Sequence, residues 1–415
     1  MGSNFYRVVA AQFFSSLADN ALLIVTIALL EYQAMPGWWA PLLKFFFTAS
    51  YVVLAPWIGA LADGMPKSKL MAWMNGMKIL GLLGLLLGMH PLLAFALVGF
   101  GAAGYAPAKY GLITELVRPD QLVKANSWIE ITVVGSVLMG AVLGGWLISP
   151  SMMSLSTRWL ADASVHGLPM SLPLTPLTPG LMALGVIYLT ASLINVWIRD
   201  SGRRYAKQHL HVCVAIRHFV QDNQKLWRDH EGAISLAATT IFWGAGATMQ
   251  FVVLKWAVDQ LGLPLNQAAY LQATVAVGVV AGASAAGYLI ALHQAKHMLW
   301  SGVGLGLLLV WVSQIHSLMF AIPLLVLAGA LGGMMVVPLN ALLQHRGCVL
   351  LSAGRSIAVQ GFNENLSVLM MLAVYALLIR SGLSIDSVMI GFGLTVSALV
   401  LLLIRRIQLK HQGAT

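Results

Sequence analysis

Asp19 is the residue whose chemistry is hardest to reconcile with its surroundings. It sits in FFSSLADNALLIVTIALL, followed by Asn20 and flanked by apolar residues on both sides. It lies about a dozen residues beyond Arg7, roughly 18 Å along a helix, near the middle of a ~30 Å hydrocarbon layer. A carboxylate there costs at least ~2.5 kcal/mol. Asp19 and Asn20 are therefore expected to line a partly hydrated cavity, where the acid can take an amine or a proton; the plainer reading is a structural hydrogen-bond anchor. Lys109, in GAAGYAPAKYGLITEL, is the natural opposite charge, because a lysine in hydrocarbon needs a counter-charge or a lipid phosphate. Glu130 in ANSWIEIT and Glu364 in VQGFNENLS open two later apolar stretches, either as gate or headgroup residues or as acids that the helix dipole alone stabilises. Gln360 and Asn363 share the Glu364 segment and offer neutral hydrogen bonds suited to a zwitterion. Lys78 is expected to snorkel outward, and Glu115 and Lys124 to be solvated at a loop.

A second set stands between two apolar stretches, in GALADGMPKSKL. Gly59 and Asp63 are four apart and share a helical face, with Lys67 and Lys69 beyond a tight turn that contains Gly64 and Pro66. Gly59 permits close helix approach. Asp63 at a helix end can pair with a neighbouring helix N-terminus, where the dipole favours negative charge. The four are expected to form a breakable latch. The motif resembles the G-x-L-A-D-x-x-G-[KR]-[KR] loop of the major facilitator superfamily, with its second glycine displaced and its basic pair split by Ser68. The corresponding loop of the second half, GYLIALHQAKH, has Ala291 in place of the acid.

The elements that carry these residues are apolar runs. Of 415 residues 59% are hydrophobic and 9% charged, against about 25% charged in soluble domains, so the chain is a polytopic membrane protein. Twelve stretches of spanning length fall near 7–31, 42–61, 69–88, 92–114, 127–148, 180–198, 233–256, 267–291, 298–316, 318–341, 358–379 and 387–404. The first is long enough to span and lacks a small-residue cleavage site, so no cleavable signal peptide is expected. This predicts an all-α membrane protein with a six-helix bundle over 1–198, a cytosolic linker over 199–231 and a second six-helix bundle over 232–415. Eighteen of the 24 lysines and arginines, Arg204 and Lys207 among them, fall on the side that also holds both ends; Arg158 and Arg380 alone fall opposite. Lys44, Lys78, Lys109 and Lys255 lie within spans or at their ends. Both termini are thus expected in the cytosol. The net charge of +10 reflects that bias and attraction to anionic lipid, not nucleic-acid binding. The external segment 149–180, rich in Pro, Ser and Leu, reads as a disordered or lid-like connector.

The two halves echo each other. GSVLMGAVLGGWL in the fifth span matches LSVLMMLAVYALL in the eleventh, with Ser136 and Ser367 in register, and the preceding spans end in APAKYGLITEL and VVPLNALLQHRG. GLLGLLLG and GGWL read as packing surfaces. Enzyme chemistry has no foothold. The chain has no Gly-Lys dipeptide and hence no Walker A loop, no histidine followed five residues later by aspartate, and no H-E-x-x-H. Cys213 and Cys348 have no metal-like spacing and are expected as reduced, unpaired thiols in cytosolic loops. No metal or cofactor is expected.

AQFFSSLADNALL, GAAGYAPAKYGLITEL, LVKANSWIE, FWGAGAT, VVPLNALLQHRG and AVQGFNENLSVLM together resemble the lysophospholipid transporter family within the same superfamily, over nearly the whole chain. The resemblance implies movement of lysophospholipids, chiefly lyso-phosphatidylethanolamine, from the outer to the inner leaflet of a bacterial inner membrane. It also implies functional coupling to a cytosolic acyltransferase and acyl-carrier-protein synthetase. The chain departs from the family in GAGATMQFVVLKW. There Gln250 stands where the family has arginine, and Lys255 follows five residues on, roughly 140° round the helix. The residues alone leave a second reading, a proton-coupled exporter of amphiphilic drugs or metabolites with Asp19 as proton carrier. Few charges, both signs and abundant apolar lining favour a zwitterionic single-chain lipid, carried by rocking of two bundles about a midplane site.

Overall fold

In a computed structural model the protein is described over residues 1–35, 39–165, 175–203, 205, 211–263 and 265–412. Arg204 and Lys207 lie outside the described residues, as do positions 166–174 of the external connector. Among the described residues the chain is all helix apart from turns, and 3₁₀ segments at Pro119–Gln121 and Leu292–Met298 lead into two of the α-helices. The helices are α1 Ser3–Tyr32, α2 Trp39–Gly64, α3 Lys67–Leu86, α4 Pro91–Leu116, α5 Leu122–Leu147, α6 Pro150–Val165 and α7 Thr178–Val196. After them come α8 Val212–Arg228, α9 His230–Leu261, α10 Leu265–Leu289, α11 Leu299–Val312, α12 Leu318–Leu350, α13 Ala353–Arg380 and α14 Ile385–Gln412. In hydrocarbon every backbone polar group must be satisfied within its own segment, and a helix does this along its length. The breaks follow Gly and Pro: Gly88 and Gly262 take positive φ at the ends of α3 and α9, and Pro66 caps α3.

Eleven of these helical segments are long and apolar enough to cross a membrane. The predicted third span coincides with α3 but is not among them, because Lys69, Asn75 and Lys78 dilute its apolar run. The external connector is not wholly irregular: residues 150–165 form α6, whose Met153 packs on the hydrophobic core of the first unit. The tenth span outruns its predicted end at 341, since no proline or glycine stops it before Gly347, and α12 continues to Leu350. Cys213 and Cys348 therefore lie on helices α8 and α12 instead of loops, and both are free thiols.

The chain divides into two compact units. The first holds Met1–Leu116, Gly135–Phe219 and the opening turn of α13, Ala353–Ala358. Its core joins Leu22 and Val25 of α1, Leu82 of α3, Phe95 and Val98 of α4, and Leu184 and Tyr188 of α7. The glycines of GLLGLLLG and GGWL do serve close packing here: a Cβ on Gly81 would press on Ala94 and Val98 of α4, and one on Gly144 on Ala21 of α1.

The second unit holds Val117–Val134, Val220–Ser352 and Val359–Thr415. Its closest helix pair is α10 and α12. A Cβ on Gly278 or Gly282 would collide with the carbonyls of Val326 and Ala330, and one on Gly329 or Gly333 with those of Val275 and Val279. Four-residue glycine spacing on both helices lets the backbones meet. Asp229 starts α9 by accepting the Gly232 N–H at 2.8 Å, and Arg346 grips the same carboxylate with Nε at 2.9 Å and Nη2 at 2.8 Å. The Arg346 hydrogen bonds hold the Asp229 carboxyl below its ordinary value. A depressed acid stabilises the fold above the unfolded-state range, near pH ~4, and loses that contribution as pH falls through the lower folded value. Asp229→Ala is thus expected to lower the melting temperature at pH 7, in line with a lost cap of about 0.5–2 kcal/mol. The gap from wild type should narrow in thermal unfolding scans as pH falls through that lowered folded value; a gap that stays constant on acidification would count against the ionic contribution.

Candidate functional site

The first unit encloses a polar cluster built from three helices. Ser15 and Asp19 of α1 are four residues apart and share a face, as do Asn75 and Lys78 of α3, three apart. Lys78 donates from Nζ to Asp19 Oδ2 at 2.6 Å and to Ser15 Oγ at 2.9 Å, and Ser15 in turn donates to Asn75 Oδ1 at 2.7 Å. Tyr188 of α7 donates its hydroxyl to Asp19 Oδ1 at 2.7 Å. The Lys78 ammonium also lies 5.3 Å from the Tyr105 ring and 5.8 Å from the Tyr188 ring, within cation–π range. Lys78 is 2% exposed and Asp19 13%, so the acid is the reachable half of the pair.

This corrects the expected partner. Asp19 pairs with Lys78, which does not snorkel outward, and not with Lys109. Depth is the reason. Asp19 lies roughly 24 Å along α1 from Ser3 and Lys78 roughly 16 Å into α3, whereas Lys109 is only roughly 10 Å from the end of α4 on the same side. The Lys109 ammonium instead rests 4.0 Å from the Tyr110 ring, with the residue 7% exposed. Asn20 donates to the Ser16 carbonyl of its own helix at 2.7 Å. Nothing in hydropathy ranked Lys78, Ser15 or Tyr188 above other polar residues. The usable signal was the matching spacing, Ser15 to Asp19 and Asn75 to Lys78.

A second arrangement gathers at the junction of α2 and α3. Asp63, 4% exposed, accepts the Gly354 N–H at 3.0 Å, at the N-terminus of α13. Gly59 lets the same turn approach: its Cβ would stand 3.0 Å from Ala358 Cβ and from Arg355 Cα. Lys67 is buried, 3.8 Å from Asp63 Oδ1 and 2.7 Å from Glu115 Oε1, with its ammonium 4.8 Å from the Tyr205 ring. Glu115 is thus buried and paired, not solvated; Ser201 donates to its other oxygen at 2.5 Å. Lys69 turns outward and is exposed.

In the second unit Gln360 Nε2 donates to Asn340 Oδ1 and to Glu364 Oε1, both at 2.8 Å, and Glu130 lies within electrostatic reach of Glu364. Asn126 and Gln344 exchange side-chain hydrogen bonds at 2.9 and 2.8 Å. Asn363 leaves this group: it donates to Asn223 Oδ1 at 3.0 Å and accepts from Trp227 Nε1 at 3.2 Å, both on α8. Gln250 bonds to Gln272 at 3.0 Å, and the Lys255 charge is met by Asp259 at 2.8 Å. A cleft of about 420 Å³ bounded by Asp120, Glu231, His293 and His345 contains none of the expected site residues.

The arrangement can exchange ionic partners and hydrogen bonds but shows no nucleophile with its base. Among the described residues no three His, Cys, Asp or Glu side chains gather as metal ligands. Comparison with known proteins identifies the family. The Major Facilitator Superfamily model matches residues 8–347. A protein of Citrobacter koseri named lysophospholipid transporter LplT is 38% identical over 387 residues, covering 93% of this chain and 91% of that one. One of the same name from Escherichia coli O1:K1 shows the same identity and coverage. Among solved structures, the Escherichia coli fucose:proton symporter FucP superposes with a TM-score of 0.71 at 14% identity, covering 97% of this chain and 98% of that chain. A bacterial homologue of the iron transporter ferroportin gives 0.68 at 14% identity, covering 97% of this chain and 100% of that chain.

Proposed function

The chain belongs to the lysophospholipid transporter family of the major facilitator superfamily, and from that premise we propose that it carries lysophospholipids, chiefly lyso-phosphatidylethanolamine, across a bacterial inner membrane. The superfamily is one of transporters, so the protein is not an enzyme. The proposed direction is from the outer to the inner leaflet, by alternating access, with both termini cytosolic. A cytosolic acyltransferase and acyl-carrier-protein synthetase would then restore the second chain. The observation that carries the reading is Asp19, a partly accessible carboxylate held by Lys78 and Tyr188. An incoming primary amine can join Lys78 and Tyr188 on that carboxylate, whose two oxygens offer about four lone-pair sites. Contact of Asp63 with the first turn of α13 serves as the latch, which supports cycling and not substrate affinity.

Leaflet-resolved uptake of labelled lyso-phosphatidylethanolamine in spheroplasts, run beside dye efflux in the same cells, tests the reading. Inward movement of the lipid without dye extrusion is expected. Active extrusion of cationic dyes with no lipid uptake would favour the proton-coupled exporter, in which Asp19 carries the proton.

Competition gives a further expected result. Single-chain phospholipids should inhibit uptake, because each buried CH₂ of the tail adds about 0.8 kcal/mol. Two-chain lipids should inhibit poorly, since a second tail doubles the apolar volume to be housed. Equal inhibition by diacyl lipid in the same assay would point to a different cargo.

A further inference from the structure

Two lysines stand within electrostatic reach of Asp19, and they are opposite in character. Lys78 is buried and fully engaged. Lys44 of α2 is exposed, has no ion-pair partner among the described residues, and rests its ammonium 5.6 Å from the Phe47 ring. Lys44, Phe47 and Tyr51 are three and four residues apart and share one face of α2. Phe47 is braced by Tyr51 at 5.9 Å and by Phe95 at 5.7 Å between ring centroids. Tyr51, at the other end of this stripe, also lies within electrostatic reach of Asp19. The face therefore leads from an available cation, past an aromatic wall, to an accessible carboxylate.

We propose that Lys44 receives the phosphate of a single-chain phospholipid whose amine is taken by Asp19, with Phe47 and Tyr51 as the wall between them. The proposal rests on the lipid-transport reading above and assigns the headgroup within it. Lys44 is roughly 8 Å from the start of α2 and Asp19 roughly 20 Å from the end of α1 on the same side, an offset of roughly 12 Å. An extended lysine side chain and a phosphoethanolamine group together bridge that distance. A lysine that only anchored α2 to interfacial headgroups would have no reason to sit within reach of a carboxylate so deep. Lys44 presents a point charge with three donors, suited to a phosphate that arrives by different approaches.

The test is direct binding to the purified full chain in nanodiscs, using wild type, Lys44→Gln and Lys44→Arg. The probes are lyso-phosphatidylethanolamine, a monoacylglycerol with the same tail, and tail-less glycerophosphoethanolamine. Lys44→Gln is expected to weaken lyso-phosphatidylethanolamine about tenfold or more, the scale of one charge-assisted hydrogen bond. It should leave the monoacylglycerol unchanged, and Lys44→Arg should recover most of the loss. Unchanged lysolipid affinity in Lys44→Gln, or an equal loss for the monoacylglycerol, overturns the assignment while the transport reading stands. Glycerophosphoethanolamine bound as tightly as the lysolipid overturns the lipid source in favour of a free phosphate compound. A wild-type protein that binds no lysolipid removes both the assignment and the reading on which it rests.

Discussion

Asp19→Ala is expected to abolish lyso-phosphatidylethanolamine uptake and to lower the stability of the protein at the same time. The substitution strips Lys78 of its carboxylate partner while the lysine stays 2% exposed. Leaving a fully buried charge uncompensated costs about 3–5 kcal/mol. The Ser15 hydroxyl and the Tyr105 and Tyr188 rings remain and soften that cost. Tyr188 also loses the acceptor for its hydroxyl. Asp19→Glu should keep a fraction of uptake, because the charge survives with altered reach. The double variant Asp19→Asn with Lys78→Gln should regain stability without regaining uptake, separating the structural role of the pair from the functional one. Asp19→Asn with Lys109→Gln should show no such recovery, since Lys109 is not the partner. Thermal unfolding and uptake measured across these variants decide the matter. Full transport in the Asp19→Asn, Lys78→Gln protein would refute the assignment of Asp19 to the substrate amine.

The next largest effect is expected at the contact between α2 and α13. A Cβ on Gly354 would stand 2.8 Å from Asp63 Oδ1, 2.8 Å from the Gly59 carbonyl oxygen and 2.9 Å from Ala62 Cβ. Two of these neighbours are backbone or a short side chain with nowhere to go, so Gly354→Leu must pry the helices apart. Overpacking of this kind costs typically about 1–3 kcal/mol, enough to slow a step that needs the contact by roughly five- to a hundredfold. Asp63→Asn keeps an acceptor for the Gly354 N–H but removes the charge at the helix end, worth about 0.3–1 kcal/mol and up to ~2 when partly buried. The asparagine variant should accordingly transport more slowly than wild type and faster than Gly354→Leu. Lysolipid affinity should stay close to wild type in both, because neither residue touches the Asp19 cluster. Loss of binding with cycling intact would show that Asp63 belongs to the substrate site and is no latch.

Helix content, helix order and the places where the chain turns were legible in the sequence alone. A bilayer leaves an apolar run of about 20 residues little choice but an internally bonded helix, and Gly and Pro mark its ends. Asp63 at a helix end beside Gly59 was legible because their four-residue spacing is local; which helix N-terminus it would meet, that of α13 at Gly354, was not. The helices α6 and α8, too short or too polar to register as spans, were not. Nor was the choice of ionic partners. Asp19, Lys78 and Tyr188 come from α1, α3 and α7, and their meeting depends on how far along its own helix each residue lies and on which way each helix is rotated in the bundle. Hydropathy measures distance from a span's own end and says nothing about rotation, so it pointed to Lys109 as the partner and left Lys78 to snorkel outward. Only packing decided that Lys78 takes Asp19, because in a low-dielectric interior the opposite charge that lies closest gains the most.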